Sequence, residues 1–408
     1  MAKFRYDEIR DGDGIRLIML HPRRSQSPQL QCSLIHTTLS KYENELIDHY
    51  TALSYVWGDS KKTCTVSVNN QDVDVTANLY AALKDLQDEN RVSFLWADAL
   101  CINQADLDEK GRQVALMGRI YASAQHTVIY MGDLTPASEA LLKHLSLCSD
   151  RREDSSDDAM KDGVRDILER PWFYRVWVFQ ELVLSRDPWI QCGRLRVRWN
   201  QLYDHMKPRS EAPMLRKASN SFRQMHEAHV KYKESLLSID KRPKLGDLVA
   251  THKGFGAADP RDMIYAFLGV ASEVLDPDLA IDYKKSCVDL YIDFACCAIR
   301  YHDYSRLLSL VSESLSNQQR MPDLPSWVPD WSSSSGQNST EYISRKALGS
   351  QNWEHYVAIR EPPVLAFGGQ EKGVIRTLRA RGSEFFRSMG FSTSELVKLH
   401  IERASFFG

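Results

Sequence analysis

The chain has 408 residues, of which 43% are hydrophobic and 26% charged, and its formal net charge is −2. This length predicts two or three domains with large apolar cores. The near-neutral charge gives no electrostatic reason to expect nucleic acid as a partner. The apolar stretches at residues 15–20 and 263–270 are too short to span a bilayer, and the charged N-terminus does not resemble a signal peptide. We therefore expect a cytoplasmic protein without a membrane span.

Eight cysteines are scattered along the chain, and they form neither a CxxC pair nor a cluster with histidine at zinc spacing. Such scattered cysteines are typical of small buried side chains in a reducing compartment. We therefore predict neither a metal site nor a disulfide framework.

The N-terminal half contains a series of predicted strands. Residues 15–20 and 30–35 are apolar runs separated by a polar loop, and residues 63–68 and 72–75 alternate valine with polar residues around a turn. Three further runs have the continuous apolar character of buried parallel strands, at residues 50–57, 92–97 and 127–131. We expect these three strands to lie adjacent or nearly so.

Helices are predicted between these strands from apolar side chains at helical spacing. Thr76 is suited to cap the first helix, and a polar loop over residues 101–108 precedes the second. Further helices are expected near residues 137–147 and over residues 164–185. This alternation predicts an α/β fold, in which a parallel sheet of four or five strands is flanked by helices and carries an added β-hairpin.

Beyond Arg186 the pattern changes to a hairpin over residues 189–199 followed by a mainly helical, charged region. We predict that this accessory region packs on the sheet, with Trp327 and Trp331 as buried anchors. Residues 332–340 have the composition of a flexible linker. The predicted domains are N-terminal strands at 1–49, a core at 50–185, the accessory region at 186–331, and a linker with a poorly determined tail at 332–408.

Candidate functional residues follow two of the predicted strands. Tyr55, Trp57 and Asp59 end one of them. Four more follow the strand at residues 92–97, namely Asp98, Cys101, Asn103 and Gln104. Because ligands of open α/β sheets bind beyond the carboxyl ends of the strands, we expect both groups at one edge of the sheet. Taken singly, each of them also fits a turn or cap residue.

Three stretches resemble the signature blocks of fungal heterokaryon-incompatibility (HET) domains, in the family's order. They are residues 50–59 (YTALSYVWGD), 95–104 (LWADALCINQ) and 170–181 (RPWFYRVWVFQE). Residues 259–269 and 324–331 resemble the usual continuation of such proteins. This resemblance implies an effector of programmed cell death that acts in heterokaryon incompatibility, a form of fungal innate immunity.

A more distant resemblance connects the same core to TIR domains. Leu53-Ser54-Tyr55 with Asp59 is similar to the first TIR box, and Trp177 with Glu181 is similar to the third. The resemblance implies a TIR-like (flavodoxin-like) fold, cleavage of NAD by the glutamate of that helix, and activation by self-association. Val178 stands where the third box has cysteine, and the middle box differs.

The residue types suit hydrolysis of the nicotinamide–ribose bond, with NAD as substrate and no cofactor. A carboxylate stabilises the oxocarbenium-like sugar of such a reaction, and an aromatic ring stacks on nicotinamide. Trp177 and Glu181 are four positions apart and share one helix face. Glu181 is therefore the predicted catalytic residue, with Arg175 and Trp177 in the substrate site. In the alternative interpretation, Glu181 is a surface glutamate or an ion-pair partner of Arg175.

Three functional hypotheses follow. The first is a self-associating NAD hydrolase, with an allelic or non-allelic incompatibility protein as a further partner. The second is a non-catalytic TIR-like adaptor that triggers cell death by protein–protein contact. The third is a hydrolase that uses Cys101 as its nucleophile. The polar groups on both loops favour the first hypothesis, and the altered middle box favours the second.

Overall fold

The computed structural model describes residues 4–23, 29–43, 49–147, 157–206, 216–235, 242–271, 277–301, 320–333, 356–359 and 364–367. The chain divides into two units, Met1–Leu290 and Tyr291–Gly408, each of which is described by itself. This division does not decide the domain boundaries predicted from the sequence, which stay predictions.

A mixed sheet organises the first unit, and nine strands of the described residues belong to it. They are β1 (Gly14–Leu20), β2 (Gln31–Thr38), β3 (Thr51–Tyr55), β4 (Thr63–Val68), β5 (Gln71–Thr76), β6 (Ser93–Trp96), β7 (His126–Tyr130), β8 (Pro188–Cys192) and β9 (Leu195–Arg198). Across the sheet they lie in the order β5-β4-β2-β1-β6-β3-β7-β8-β9.

Four neighbouring strands at the centre of the sheet, β6, β3, β7 and β8, are parallel. Thr51 of β3 lies opposite Leu95 on one side and His126 on the other. The prediction that these three strands are adjacent is therefore confirmed. If only these four strands are numbered in chain order, β3 is strand 1, β6 strand 2, β7 strand 3 and β8 strand 4. Their order across the sheet is then 2-1-3-4.

The sheet is not parallel throughout, which corrects the prediction of a parallel sheet. β1 pairs antiparallel with both β2 and β6. The hairpin of β4 and β5 joins β2 through a short parallel pairing. At its turn Asn69 and Asn70 have φ of 50° and 61°, left-handed values typical of a two-residue hairpin. This predicted hairpin is confirmed.

Helices flank the sheet of the first unit. They are α1 (Ser40–Glu43), α2 (Ala77–Leu86), α3 (Asp98–Cys101), α4 (Leu107–Ser123), α5 (Pro136–Ser146), α6 (Asp157–Leu168), α7 (Val178–Val183), α8 (Trp199–Met206), α9 (Arg216–Ser235), α10 (Leu245–Thr251) and α11 (Asp262–Leu268), followed by α12 (Cys287–Tyr301). Thr76 caps α2 by accepting a hydrogen bond from the Leu79 backbone N–H, as predicted. α4 begins at Leu107, inside the predicted loop.

The single helix predicted over residues 164–185 is wrong. α6 ends at Leu168, a 3-10 helix covers Pro171–Tyr174, and α7 begins only at Val178. Pro171 has no backbone N–H to donate and forces the preceding Arg170 into an extended conformation. Arg175 is also extended and forms a parallel bridge with Gly256. The interruption gives Arg175 and Trp177 orientations that a continuous helix would not allow.

The second unit is described over a smaller share of its residues. β10 (Tyr356–Ile359) and β11 (Val364–Phe367) form an antiparallel pair. Trp331 packs edge-on against Tyr291 and Phe294 of the same unit, with ring centroids 5.2 and 4.7 Å apart. The predicted linker lies outside the described residues from position 334 onward. Within the described part of the chain, no helix has the length and apolar character needed to span a membrane.

Candidate functional site

A cleft of about 410 Å³ opens where β3 and β6 end. Its polar and aromatic lining includes Trp57, Asp98, Gln104, Arg175, Trp177 and Asp262. A second cleft of the same volume is bounded by Asp88, Gln191 and Arg194. None of the residues lining that second cleft is a tryptophan, and none of its carboxylates is buried. The first cleft is therefore the better candidate for a site that binds a flat, hydroxylated ligand.

Glu181 is only 3% exposed and is not part of the lining of this cleft. Its carboxylate accepts a hydrogen bond from the Ser54 hydroxyl, and the Trp172 indole N–H donates to the same hydroxyl at 2.7 Å. Burial raises the pKa of Glu181 to about 7, against the lowering effects of Arg175 and Ser54, and Asp98 raises it further. The predicted catalytic carboxylate is thus buried and only partly ionised at neutral pH.

Arg175 connects this buried carboxylate to the cleft. Its guanidinium lines the cleft and donates to the Tyr55 carbonyl at the end of β3. The backbone around it is fixed because the Val176 N–H donates to the Gly256 carbonyl at 3.1 Å and the Gly256 N–H donates to Tyr174 at 2.6 Å. A Cβ at Gly256 would lie 3.3 Å from the Tyr174 carbonyl oxygen, so this close approach favours glycine.

Asp98 supplies a carboxylate on the cleft surface. Its Oδ2 accepts a hydrogen bond from the Trp57 indole N–H at 2.8 Å, and its Oδ1 accepts from the Ala99 backbone N–H at 2.8 Å. Burial raises the pKa of Asp98, although Arg175 and these hydrogen bonds lower it. The Trp57 side chain remains 37% exposed, so its ring is available to a ligand at the cleft.

A buried ion pair anchors the loop that carries Asp98 and Gln104. The Glu109 carboxylate accepts from the Asn103 backbone N–H at 2.7 Å and from the Arg16 guanidinium at 2.6 and 2.9 Å. Arg16 is 1% exposed and also donates to the Cys101 carbonyl at 3.2 Å. The Gln104 amide donates to the Asp98 carbonyl at 3.0 Å. These contacts hold the loop in one conformation beside the cleft.

The predicted site residues do not all reach the cleft. Tyr55 is buried at the end of β3, and its carbonyl receives Arg175. Asp59 is exposed and accepts from the Lys61 backbone N–H at 2.9 Å, while the Asn103 side chain accepts from Ala105 at 3.3 Å, so both stabilise turns. Cys101 is 0% exposed, and burial raises the pKa of its thiol to about 12. Five of the predicted site residues are absent from the lining of the cleft, namely Tyr55, Asp59, Cys101, Asn103 and Glu181.

The far wall of the cleft comes from residues that the sequence analysis did not assign to the site. Asp262, at the start of α11, is 8% exposed and accepts from the Tyr283 hydroxyl at 2.8 Å. Burial raises the pKa of Asp262, and hydrogen bonding by Trp177 and Tyr283 lowers it. The guanidinium of Arg261 donates hydrogen bonds to the Asp259 carboxylate at 2.7 Å and to the Tyr283 carbonyl at 2.5 Å. The resemblance of residues 259–269 to a family block was the one signal that pointed to this wall.

Among the described residues, no three His, Cys, Asp or Glu side chains are grouped so that they would hold a metal ion. The charged groups of the cleft are the carboxylates of Asp98, Asp259 and Asp262, the guanidinium of Arg175 and the ammonium group of Lys110. Such an arrangement suits the hydroxyl groups and aromatic ring of an uncomplexed organic ligand.

Comparison with known proteins identifies two relationships. Residues 50–181 match the family model described as Heterokaryon incompatibility protein (HET). The chain is 26% identical to Heterokaryon incompatibility protein 6, OR allele, of Neurospora crassa, over 458 aligned positions that cover 91% of this chain and 66% of the relative. The chain thus spans just under two thirds of that relative's length. No solved structure matches the chain.

Proposed function

This chain is a HET domain protein, and we propose that it is a cell-death effector whose cleft hydrolyses NAD when the protein self-associates. The name of the Neurospora relative places that protein in heterokaryon incompatibility, and we assign this chain to the same process. The family match begins at Tyr50 and ends at Glu181, so it includes both carboxylates that interact with Arg175.

One observation carries the enzymatic proposal: the buried carboxylate of Glu181 interacts electrostatically with Arg175, which lines a cleft that also contains two tryptophans. Burying a carboxylate destabilises a fold, and such groups with shifted pKa values are concentrated at functional sites. Glu181, Arg175 and Asp98 influence one another electrostatically, so a cation that develops in the cleft meets this group of charges.

The order of the parallel strands supports a TIR-like core. The order 2-1-3-4 found for β6, β3, β7 and β8 is the beginning of the flavodoxin-like order. In that arrangement ligands bind beyond the carboxyl ends of the strands, and the cleft opens beyond the carboxyl ends of β3 and β6. Tyr55 is the last residue of β3, and its carbonyl accepts a hydrogen bond from the Arg175 guanidinium.

The proposed reaction uses water and no cofactor. The bond between nicotinamide nitrogen and ribose carbon breaks, the electron pair leaves with nicotinamide, and an oxocarbenium-like ribose develops. Water then adds to that carbon and loses a proton, which gives ADP-ribose. Asp98 faces the cleft and contacts the ribose, Glu181 supplies negative charge, and Trp57 or Trp177 stacks on the nicotinamide ring.

The test is to incubate purified protein with NAD at increasing protein concentration and to measure nicotinamide and ADP-ribose. Wild type is expected to release both, with a rate per molecule that rises with concentration. Glu181→Gln keeps the shape but removes the charge, and it should lower turnover about a hundredfold or more, which corresponds to about 3 kcal/mol. Glu89→Gln changes an exposed carboxylate outside the cleft and should retain wild-type turnover.

The runner-up function is a non-catalytic TIR-like adaptor. This alternative is favoured because the Glu181 carboxylate is absent from the lining of the cleft and already accepts a hydrogen bond from Ser54. If neither wild type nor any concentrated sample releases nicotinamide, and Glu181→Gln still kills cells, the adaptor function replaces the enzymatic one. A hydrolase based on Cys101 is the weakest candidate, because its thiol is buried and stays protonated.

A further inference from the structure

The cleft contains two tryptophans, and each of them contacts a carboxylate that also lines the cleft. Trp57 donates its indole N–H to Asp98 at 2.8 Å, and Trp177 hydrogen-bonds the Asp262 carboxylate. The first pair stands at the ends of β3 and β6, and the second joins the residue before α7 to the start of α11. Two separate parts of the chain thus each place one tryptophan and one aspartate at the same cleft.

Each pair has the chemistry needed to recognise one nucleoside. An indole face stacks on a heteroaromatic base, and a carboxylate accepts hydrogen bonds from the adjacent hydroxyl groups of a ribose. The hydrogen bond from the indole N–H to the carboxylate restricts both side chains before a nucleoside binds. Binding therefore costs little additional side-chain entropy. A pair of this kind recognises a nucleoside without any cation for its phosphate.

We propose that the cleft binds both nucleoside halves of a dinucleotide at once, each at one tryptophan–aspartate pair. This inference rests on the proposed function, since it specifies how the NAD substrate is held. The pair Trp57 and Asp98 takes the nicotinamide half, because Asp98 interacts with Arg175 and Glu181. The pair Trp177 and Asp262 takes the adenosine half.

A purely structural role does not account for both pairs. Trp57 is 37% exposed, so it fills no core position. Asp262 is almost fully buried, yet its Oδ1 is satisfied by the Tyr283 hydroxyl at 2.8 Å without help from Trp177. Asp262 also lines the cleft together with Trp177.

The experiment measures binding of the two mononucleotides that together make up NAD. Calorimetric titrations of the full chain with AMP, with nicotinamide mononucleotide, and with AMP in the presence of saturating nicotinamide mononucleotide give the site assignment directly. We expect the affinity for AMP to be unchanged by the second ligand, and NAD to bind more tightly than either half. Competition between the two mononucleotides, or no binding of AMP, overturns the inference.

Variants then assign each pair to one half. Asp262→Asn should weaken AMP about tenfold and leave nicotinamide mononucleotide unchanged, and Asp98→Asn should do the opposite. Glu89→Gln, which alters an exposed carboxylate outside this cleft, is the control and should retain the binding of both mononucleotides. If Asp262→Asn weakens the binding of AMP and of nicotinamide mononucleotide equally, the role of Asp262 is structural and the inference is wrong.

Two further outcomes keep this inference separate from the proposed function. If circular dichroism shows that Asp262→Asn does not fold, Trp177→Leu and the competition titration of wild type test the assignment of AMP instead. A Trp177→Leu protein that binds AMP with wild-type affinity contradicts the inference. NAD that binds through both pairs but is not hydrolysed refutes the enzymatic function alone. NAD that is hydrolysed while AMP binds nowhere refutes this inference alone.

Discussion

The hydroxyl of Ser54 donates a hydrogen bond to the carboxylate of Glu181 and thereby links β3 to α7. Both side chains are buried, and Trp172 holds Ser54 from the other side at 2.7 Å. The polar contact fixes the carboxylate, but burial still raises its pKa to about 7. The ionisation of Glu181 should therefore be measurable in the pH dependence of stability.

Glu181→Gln should stabilise the protein relative to wild type as the pH rises. In the unfolded chain Glu181 ionises near 4.5, and in the folded protein near about 7. Between these values the unfolded state loses its proton first, so rising pH favours unfolding of wild type, and the penalty is constant above about 7. The variant lacks this penalty and should gain about 2–3 kcal/mol on wild type between about pH 5 and pH 8.

Urea unfolding of both proteins at the two pH values measures this difference. When the variant and wild type are compared at the same pH, the contributions of all other titrating groups to the free energy of unfolding cancel. Glu89→Gln, which alters an exposed carboxylate, serves as control and should show a difference from wild type that does not change with pH. A Glu181→Gln protein that is equally destabilised at both pH values would show that the wild-type carboxylate is ionised throughout.

Breaking the ion pair between Arg16 and Glu109 should strongly destabilise the fold. Both side chains are buried, and Glu109→Gln leaves the guanidinium of Arg16 without a charged partner. Removal of one member of a buried pair costs about 3–5 kcal/mol. Glu43→Gln breaks the partly exposed pair with Arg119 and should cost at most about 1 kcal/mol. Equal urea midpoints for the two variants would contradict the importance of the buried pair.

The strands of the first unit were largely predictable because their signals are local. The hairpin of β4 and β5 follows from alternating valines around Asn69 and Asn70, and the parallel strands follow from continuous apolar runs. The break near Pro171 was missed because apolar residues continue at helical spacing on both sides of it. The proline restricts only its immediate neighbours, and the bridge from Arg175 to Gly256 completes the interruption.

The candidate site was less predictable because its contacts join distant parts of the chain. The rule that the carboxyl ends of parallel strands lie at one edge of a sheet predicted that four of its residues are close together, namely Tyr55, Trp57, Asp98 and Gln104. Asp262 and Tyr283 follow no strand of the sheet, so no rule of sheet topology pointed to them. Cys101 belongs to the short helix α3, in which a shift of one residue turns a side chain from the cleft to the core.

Cys101 should resist alkylation in the native protein and be dispensable for activity. Its thiol is fully buried, and burial raises its pKa to about 12, so almost no thiolate is present at neutral pH. Cys64 and Cys287 are partly exposed and should react with iodoacetamide first, as peptide mass spectrometry would show. Early labelling of Cys101, or loss of NAD cleavage in a folded Cys101→Ala protein, would instead support a cysteine-dependent hydrolase.

Arg175 and Asp98 should shift the pKa of Glu181 in opposite directions. The guanidinium of Arg175 lowers this pKa from the value that burial alone would give, and the carboxylate of Asp98 raises it. Arg175→Gln should therefore move the pKa of Glu181 above about 7, and Asp98→Asn should move it below. Carbon-13 NMR of labelled glutamate carboxyl groups measures the pKa, and the signal missing from Glu181→Gln assigns it.

Arg175→Lys is the matched control for this last prediction. It keeps a cation near Glu181 while changing the donor geometry toward the Tyr55 carbonyl, so the pKa should stay closer to wild type than in Arg175→Gln. If the neutral variant and the lysine variant shift the pKa equally, the effect comes from the backbone around the bridge to Gly256 and not from charge. An unchanged pKa of Glu181 in both Arg175→Gln and Asp98→Asn would mean that burial alone governs this carboxylate. The three residues would then not act as the electrostatic group on which the proposed NAD cleavage depends.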